Sequence, residues 1–352
     1  MGTKVLVNSN QCASLAKRLN GIVIKPAKTL KVESSGDREN AARLLFYYMA
    51  ICHDTRDLEG SLDGVHRRGS DYLYYAIKRQ WDQNPDFFSP SSMTDLSIQK
   101  FLSWLSPNGN PKNCLIKRAE ERVRLLRDCG AKLLQYYGGR VTTIFDKSAG
   151  YLLRSDGKGL VDLLQIFEAY SDPLRKKIMV LLFLFYVEGL LQVKDPENLA
   201  LGIDYHLQRI ALRSGIIDLE SPKLAQKLKL RRFVSKTEES EIRLTCLKAY
   251  NFITKFSGIY PLDLDALFWQ IGRNCCHYEH PPFCGGRPCV RRDCTLFRDV
   301  KYSCPGTCLF DGVCLASLDA ERTKFFEPKI IQSPQGDPFH LWVGGIEDVP
   351  FC

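Results

Sequence analysis

Ten consecutive apolar residues, Ile178 to Val187, follow the polar segment Ser171-Asp-Pro-Leu-Arg-Lys-Lys177 and give way to Glu188. So short a run cannot span a bilayer, which takes roughly 20 residues, and it reads as a buried helix. The rest of the chain must therefore build a core around it. Asp172 can cap such a helix, and Pro173 suits its first position, where a missing N–H costs nothing. Lys176 and Lys177 then fall near the positive end of the helix dipole and beside a dry apolar surface. Both effects disfavour the ammonium, so either amine can serve as a nucleophile; the competing reading is that both lysines snorkel to water.

A second segment, Gly202-Ile-Asp-Tyr-His-Leu-Gln-Arg209, places a carboxylate before a helix over 205–214 that Gly215 ends. Capping alone explains Asp204. Taken with the lysine, however, the pair suits attack on a glycosidic bond: the amine attacks the sugar carbon while the carboxylate stabilises the developing positive charge.

Of the 352 residues 45% are hydrophobic, which supplies an ample core, and helical spacing recurs over 37–51, 117–137 and 160–170. The expected class is mainly α. A net charge of +9 favours a polyanionic partner, nucleic acid, with DNA ahead of RNA. The opening residues carry no apolar stretch with a small-residue cleavage site, and Leu6 breaks the myristoylation pattern, so neither secretion nor a membrane is expected. The expectation is a monomer in the cytoplasm or nucleus. After Cys52, His53 and Asp54 open a glycine-punctuated loop and can hydrogen-bond a substrate or simply brace the loop.

Eight of the fourteen cysteines lie between Cys275 and Cys314. Without a leader they point to metal rather than disulfides. Cys276, Cys284, Cys289 and Cys294 are close enough in sequence to close around one ion or cluster. Cys304, Cys308 and Cys314 can form a second site with Cys275, His277 or His280. Arg287, Arg291, Arg292, Arg298 and Lys301 make the same region basic, as a phosphate-contacting loop would be.

Four stretches, Lys177-Ile-Met-Val180, Lys194-Asp-Pro-Glu-Asn198, Ile203 to Gly215 and Leu262 to Gly272, resemble the helix-hairpin-helix DNA glycosylase superfamily, in particular its endonuclease III-like and archaeal 8-oxoguanine glycosylase branches. The resemblance implies a two-lobed helical fold with Lys177 as nucleophile at C1′ and Asp204 as the essential aspartate. It also implies a [4Fe–4S] cluster on the first cysteine set, with zinc as the alternative. The superfamily's Leu-Pro-Gly-x-Gly hairpin is absent, since Ala169-Tyr-Ser-Asp-Pro-Leu-Arg175 stands before the lysines.

The expected organisation is an N-terminal arm (1–36), a helical glycosylase-like domain (37–274), a metal module (275–318) and a tail (319–352). The expected activity is a DNA glycosylase with strand-cleaving lyase action on an oxidised or modified purine. The alternatives are an N-glycosidase for a modified nucleoside, nucleotide or RNA base, like the queuosine-nucleotide hydrolases related to the superfamily, and a non-catalytic nucleic-acid-binding protein.

Overall fold

The computed structural model describes residues 5–26, 28–30, 32, 35–56, 58–278, 282–290, 294–295, 300–301, 304, 306–331 and 342–344. It is mainly helical, with short two-stranded pairings, as the apolar periodicity predicts. No helix among the described residues is long and apolar enough to cross a membrane. The chain forms two units. A central unit takes Lys28–Asn198, and a split unit joins the described residues up to Pro26 with those from Leu199 onward.

The central unit is built on the helix Ser35–Ile51. Sequence spacing assigns this helix one apolar face, yet from Ala41 to Ile51 every residue except Arg43 is buried. The reason is that it packs against both Ala119–Tyr137 and Lys176–Val187, so two faces are covered. Phe46 stacks on Tyr170 at 5.2 Å and meets the edge of Phe167 at 5.0 Å, while the Tyr170 hydroxyl donates to the Phe46 carbonyl at 2.5 Å. Gly130 lets Pro90–Thr94 press onto the Ala119–Tyr137 helix, since a Cβ there would stand 2.6 Å from the Pro90 carbonyl oxygen.

The apolar run forms a helix, Lys176–Val187, but it starts later than the Asp-Pro signal predicts. Asp172 accepts from the amides of Leu174 (3.2 Å) and Lys176 (3.0 Å), and Arg175 takes a left-handed conformation at φ 60°. The aspartate thus satisfies the first-turn amide across an intervening turn. Beyond the helix end, Asp195 accepts from the amides of Leu152 (2.6 Å) and Leu153 (3.0 Å) and from the Asn198 side chain (2.9 Å).

In the split unit the helix Lys236–Ser257 starts on a capping box, with Ser235 and Glu238 satisfying each other's amides. It packs on Ser9–Arg18 and on Tyr205–Ser214, and Pro261–Asn274 packs on the latter. Strand Val5–Val7 pairs antiparallel with Ile217–Leu219. The N-terminal residues, read from sequence as an arm or strand pair, contain the Ser9–Arg18 helix, whose Cys12, Leu15 and Ala16, with Leu19 just beyond, are buried. That i, i+3, i+4, i+7 stripe is the signal the sequence reading passed over.

Burial works against the Asp195 carboxylate, but its hydrogen bonds from Leu152, Leu153 and Asn198 outweigh that and hold its pKa below the usual range. Its contribution is therefore complete above the unfolded value of about 3.9 and is lost as pH falls through the lower folded value. Asp195→Ala, which orphans two amides, is expected to cost about 1–3 kcal/mol in urea unfolding at pH 7, with the difference from wild type shrinking below pH ~4. A gap that stays constant down to pH 2 contradicts this account.

Candidate functional site

The sequence candidates fall into both units, Lys177, His53 and Asp54 in the central one and Asp204 in the split one. In the central unit Lys177 and His53 come together, each with no solvent exposure. Lys177 Nζ donates to the Ala50 carbonyl at 2.6 Å and lies 3.2 Å from His53 Nδ1. With Nζ donating to Nδ1, the imidazole carries its proton on Nε2, which lies 2.9 Å from Glu121 Oε1. Burial first, then the neighbouring Lys176, pushes the Lys177 pKa well below the ordinary lysine value.

Arg122 closes the group, donating to the carbonyls of Ile51, His53 (2.5 Å) and Asp54 (3.1 Å). Burial brings its pKa down to about 10. Three non-glycine residues beside this cluster, Asp54, Arg118 and Arg175, hold positive φ of 43°, 58° and 60°. Such strained backbone persists only where surrounding bonds determine it. Sequence reasoning passes over Glu121 and reads Arg122 as one of the basic residues on a solvated or phosphate-contacting face of a long helix, whereas the structure buries it.

Asp204 is the N-cap its position predicts. It is 3% exposed, and its Oδ1 accepts from the Leu207 amide at 3.0 Å. Tyr250, also missed, donates its hydroxyl to the Leu207 carbonyl at 2.8 Å, so the first turn is bound through both amide and carbonyl. Burial raises the Tyr250 pKa well above its ordinary value, with Cys246, Cys276 and Asp204 adding to the effect. Every residue of the Tyr205–Ser214 helix is buried.

Arg209 anchors that helix from within, donating to the carbonyls of Cys276 (2.8 Å) and Gly272 (2.9 Å) and pairing with Glu327 at 2.9 Å. A Cβ on Gly272 would stand 2.7 Å from His206 Cβ, so glycine is required where the two helices touch. On the packed helix Pro261–Asn274, burial raises the Asp263 carboxyl to about 6.

The cysteine-rich region departs from its expected role. Cys275, Cys276 and Cys308 lie in the apolar core of the split unit, Cys284, Cys294 and Cys314 pack against that core, and Cys304 is exposed. Cys308 shares a hydrogen bond with Cys275 that, with burial, pushes its thiol pKa up. Among the described residues no three of His, Cys, Asp or Glu are grouped so as to hold a metal ion. The expected sets, Cys276, Cys284, Cys289 and Cys294 on one hand and Cys275, Cys304, Cys308 and Cys314 on the other, do not form as two separate groups: after burial, the nearby Cys276, Cys308 and Cys284 raise the Cys314 thiol pKa, so members of both sets are neighbours. His277 packs edge-on to Phe283, and His280, Arg291, Arg292 and Arg298 lie outside the described residues.

Fold and site together define a mainly helical protein whose candidate groups are buried and hydrogen-bonded at helix starts and helix contacts. The family model for the queuosine salvage protein matches residues 53–257, more than half of the chain, and the chain belongs to that family. No helix-hairpin-helix glycosylase family matches, which overturns the assignment to that superfamily and with it DNA repair by lysine attack. The physical ground is the one visible before Lys177, where a turn through Arg175 replaces the glycine hairpin, and the amine itself is enclosed. The match contains His53, Lys177, Asp204 and Tyr250 and ends before the cysteine-rich segment. No curated protein matches the sequence.

Two measurements test these networks. A lysine whose folded pKa is depressed takes up a proton on unfolding, so wild type gains stability as pH rises from 7 toward 10, by at most about 1.4 kcal/mol per pH unit. Lys177→Met should show a flatter slope in urea unfolding, and equal slopes would mean the buried amine keeps its charge. Glu327→Leu leaves the Arg209 guanidinium buried without its partner and is expected to cost about 3–5 kcal/mol, much of it recovered in the double variant Arg209→Leu/Glu327→Leu.

Proposed function

We propose that this chain hydrolyses the N-glycosidic bond of a queuosine-type nucleoside or nucleotide and releases the modified base. The observation that carries this reading is the queuosine salvage match over 53–257, which encloses a buried aspartate fixed at a helix start. Water adds to C1′, the C1′–N bond breaks with its electron pair leaving on the base, and one proton from the water passes to the base while the other stays on the new C1′ hydroxyl. Positive charge develops at the sugar ring as the bond opens. A carboxylate held rigidly in a low-dielectric setting stabilises that charge far better than solvent does.

Asp204 is assigned this role. Its Oδ1 bond to Leu207, with the Tyr250 bond behind it, fixes its orientation without a reorganisation cost during the reaction. Lys177 has no covalent part in this chemistry: its amine is committed to Ala50 and His53 inside the central unit. The net charge of +9 favours a substrate that carries phosphate.

The test is release of free base, followed by liquid chromatography, from queuosine, its 5′-monophosphate, guanosine and a DNA duplex bearing an oxidised purine. Base should appear from the queuosine compounds alone, with no borohydride-trapped adduct, and Asp204→Asn should slow release by about 10²–10³-fold. Full activity in Asp204→Asn, or release from the DNA duplex, would sink the proposal.

A further inference from the structure

The reaction assigned to Asp204 makes no use of the cysteine-rich segment, yet the fold brings thiols from its two ends together. Phe283 is the link. Its amide donates to the Cys275 carbonyl at 3.2 Å, and its carbonyl accepts from the Cys308 amide at 2.7 Å. Two backbone bonds on one residue thus hold Cys275 and Cys308 to either side of it, and their side chains share a hydrogen bond although about 33 residues separate them in the chain. Cys275 is fixed again by its own amide, which donates to the Ile271 carbonyl at 2.8 Å where the Pro261–Asn274 helix ends.

The neighbouring thiols are engaged elsewhere. Cys276 Sγ accepts from Arg213 Nη1 at 3.5 Å, Cys314 Sγ donates to the Arg213 carbonyl at 3.8 Å, and Cys284 Sγ donates to the Ala316 carbonyl at 4.0 Å. Cys275 and Cys308 are therefore the pair turned toward each other. Both reach the surface slightly, at 7% and 8% exposure, whereas Cys12, Cys129 and Cys246 have none. A small solute can meet the pair without unfolding. Hydrogen-bonded sulfurs are close enough that side-chain rotation, with the backbone held by Phe283, brings them to the bond length of about 2 Å.

We propose that Cys275 and Cys308 are a peroxide-sensitive dithiol that closes reversibly to a disulfide and staples the end of the Pro261–Asn274 helix to the segment after Gly306. Hydrogen peroxide accepts the two electrons. One sulfur attacks a peroxide oxygen and becomes the sulfenic acid, while the O–O bond breaks and the departing oxygen takes the thiol proton and leaves as water. The second sulfur displaces the sulfenic hydroxyl, which takes the second thiol proton and leaves as a second water. A thiol reductant reverses the change by exchange. The staple lies next to the Cys276 carbonyl that accepts from Arg209, so oxidation ties down the frame of the Asp204 helix. The dithiol does not depend on the glycosidase reading, because none of the reacting atoms belongs to that machinery.

Mass spectrometry of the full chain tests it, after reduction, removal of the reductant, exposure to a modest excess of hydrogen peroxide and alkylation of the thiols that remain. Trypsin leaves Cys275 in the peptide 274–291 and Cys308 in the peptide 302–322. These peptides should be joined by one disulfide in wild type, in Cys276→Ser and in Cys304→Ser, an exposed position, and should come apart in Cys275→Ser and in Cys308→Ser. Closing a loop of this length should raise the melting temperature of oxidised wild type by about 4 °C or more over the reduced form, and dithiothreitol should reverse the rise. The melting comparison uses wild type alone, so it stands even where a core variant folds poorly. No link, a link that survives Cys275→Ser or Cys308→Ser, a link lost in Cys276→Ser or Cys304→Ser, or oxidation without a change in melting temperature would each overturn the proposal.

Discussion

The guanidinium of Arg209 is the interaction on which the split unit depends. It is fully buried, and burial alone would lower its pKa, yet the Glu327 carboxylate more than offsets this and holds the pKa above the ordinary value. One side chain thereby ties the middle of the Tyr205–Ser214 helix to the end of the Pro261–Asn274 helix and to the chain near residue 327. The position of Asp204 is fixed by the same arrangement. Its helix cannot shift without breaking three carbonyl or carboxylate bonds to a charge that has no water to turn to.

The central unit uses its buried charge differently. Lys177, His53, Glu121 and Arg122 are drawn from three segments and meet in an enclosed network, with strained backbone at Asp54, Arg118 and Arg175 around it. Such a network restricts the packing, because a shifted register would leave a buried amine or guanidinium unsatisfied. Lys177 was attractive as a nucleophile because a desolvated amine at a helix start has a depressed pKa. The same desolvation is complete here and encloses the amine.

The functional correction turns on a similar point. Lysine, aspartate and a following cysteine cluster in glycosylase order are compatible with DNA repair, but the order of motifs does not show what surrounds them. The glycine hairpin that would hold a DNA phosphate is replaced by the Asp172–Arg175 turn. The family match points to queuosine salvage rather than DNA repair, and the glycosidase proposed here takes its substrate from that match, a reading the sequence carries only as its alternative.

Periodicity and capping residues by themselves determined that the chain is mainly helical, that 178–187 lies in a helix, and that Asp204 caps the helix ended by Gly215, because these follow from local backbone geometry; the burial of 178–187 is complete only on the face of Ile178, Met179, Leu181, Leu182 and Phe185. Tertiary structure alone decided that the 41–51 segment is covered on more than one face, that Glu121, Arg122 and Tyr250 attend the candidate residues, and that Cys275 and Cys308 meet. Those outcomes depend on contacts between residues far apart in the chain. A charged side chain on a helix looks the same in sequence whether it faces water or a buried carbonyl.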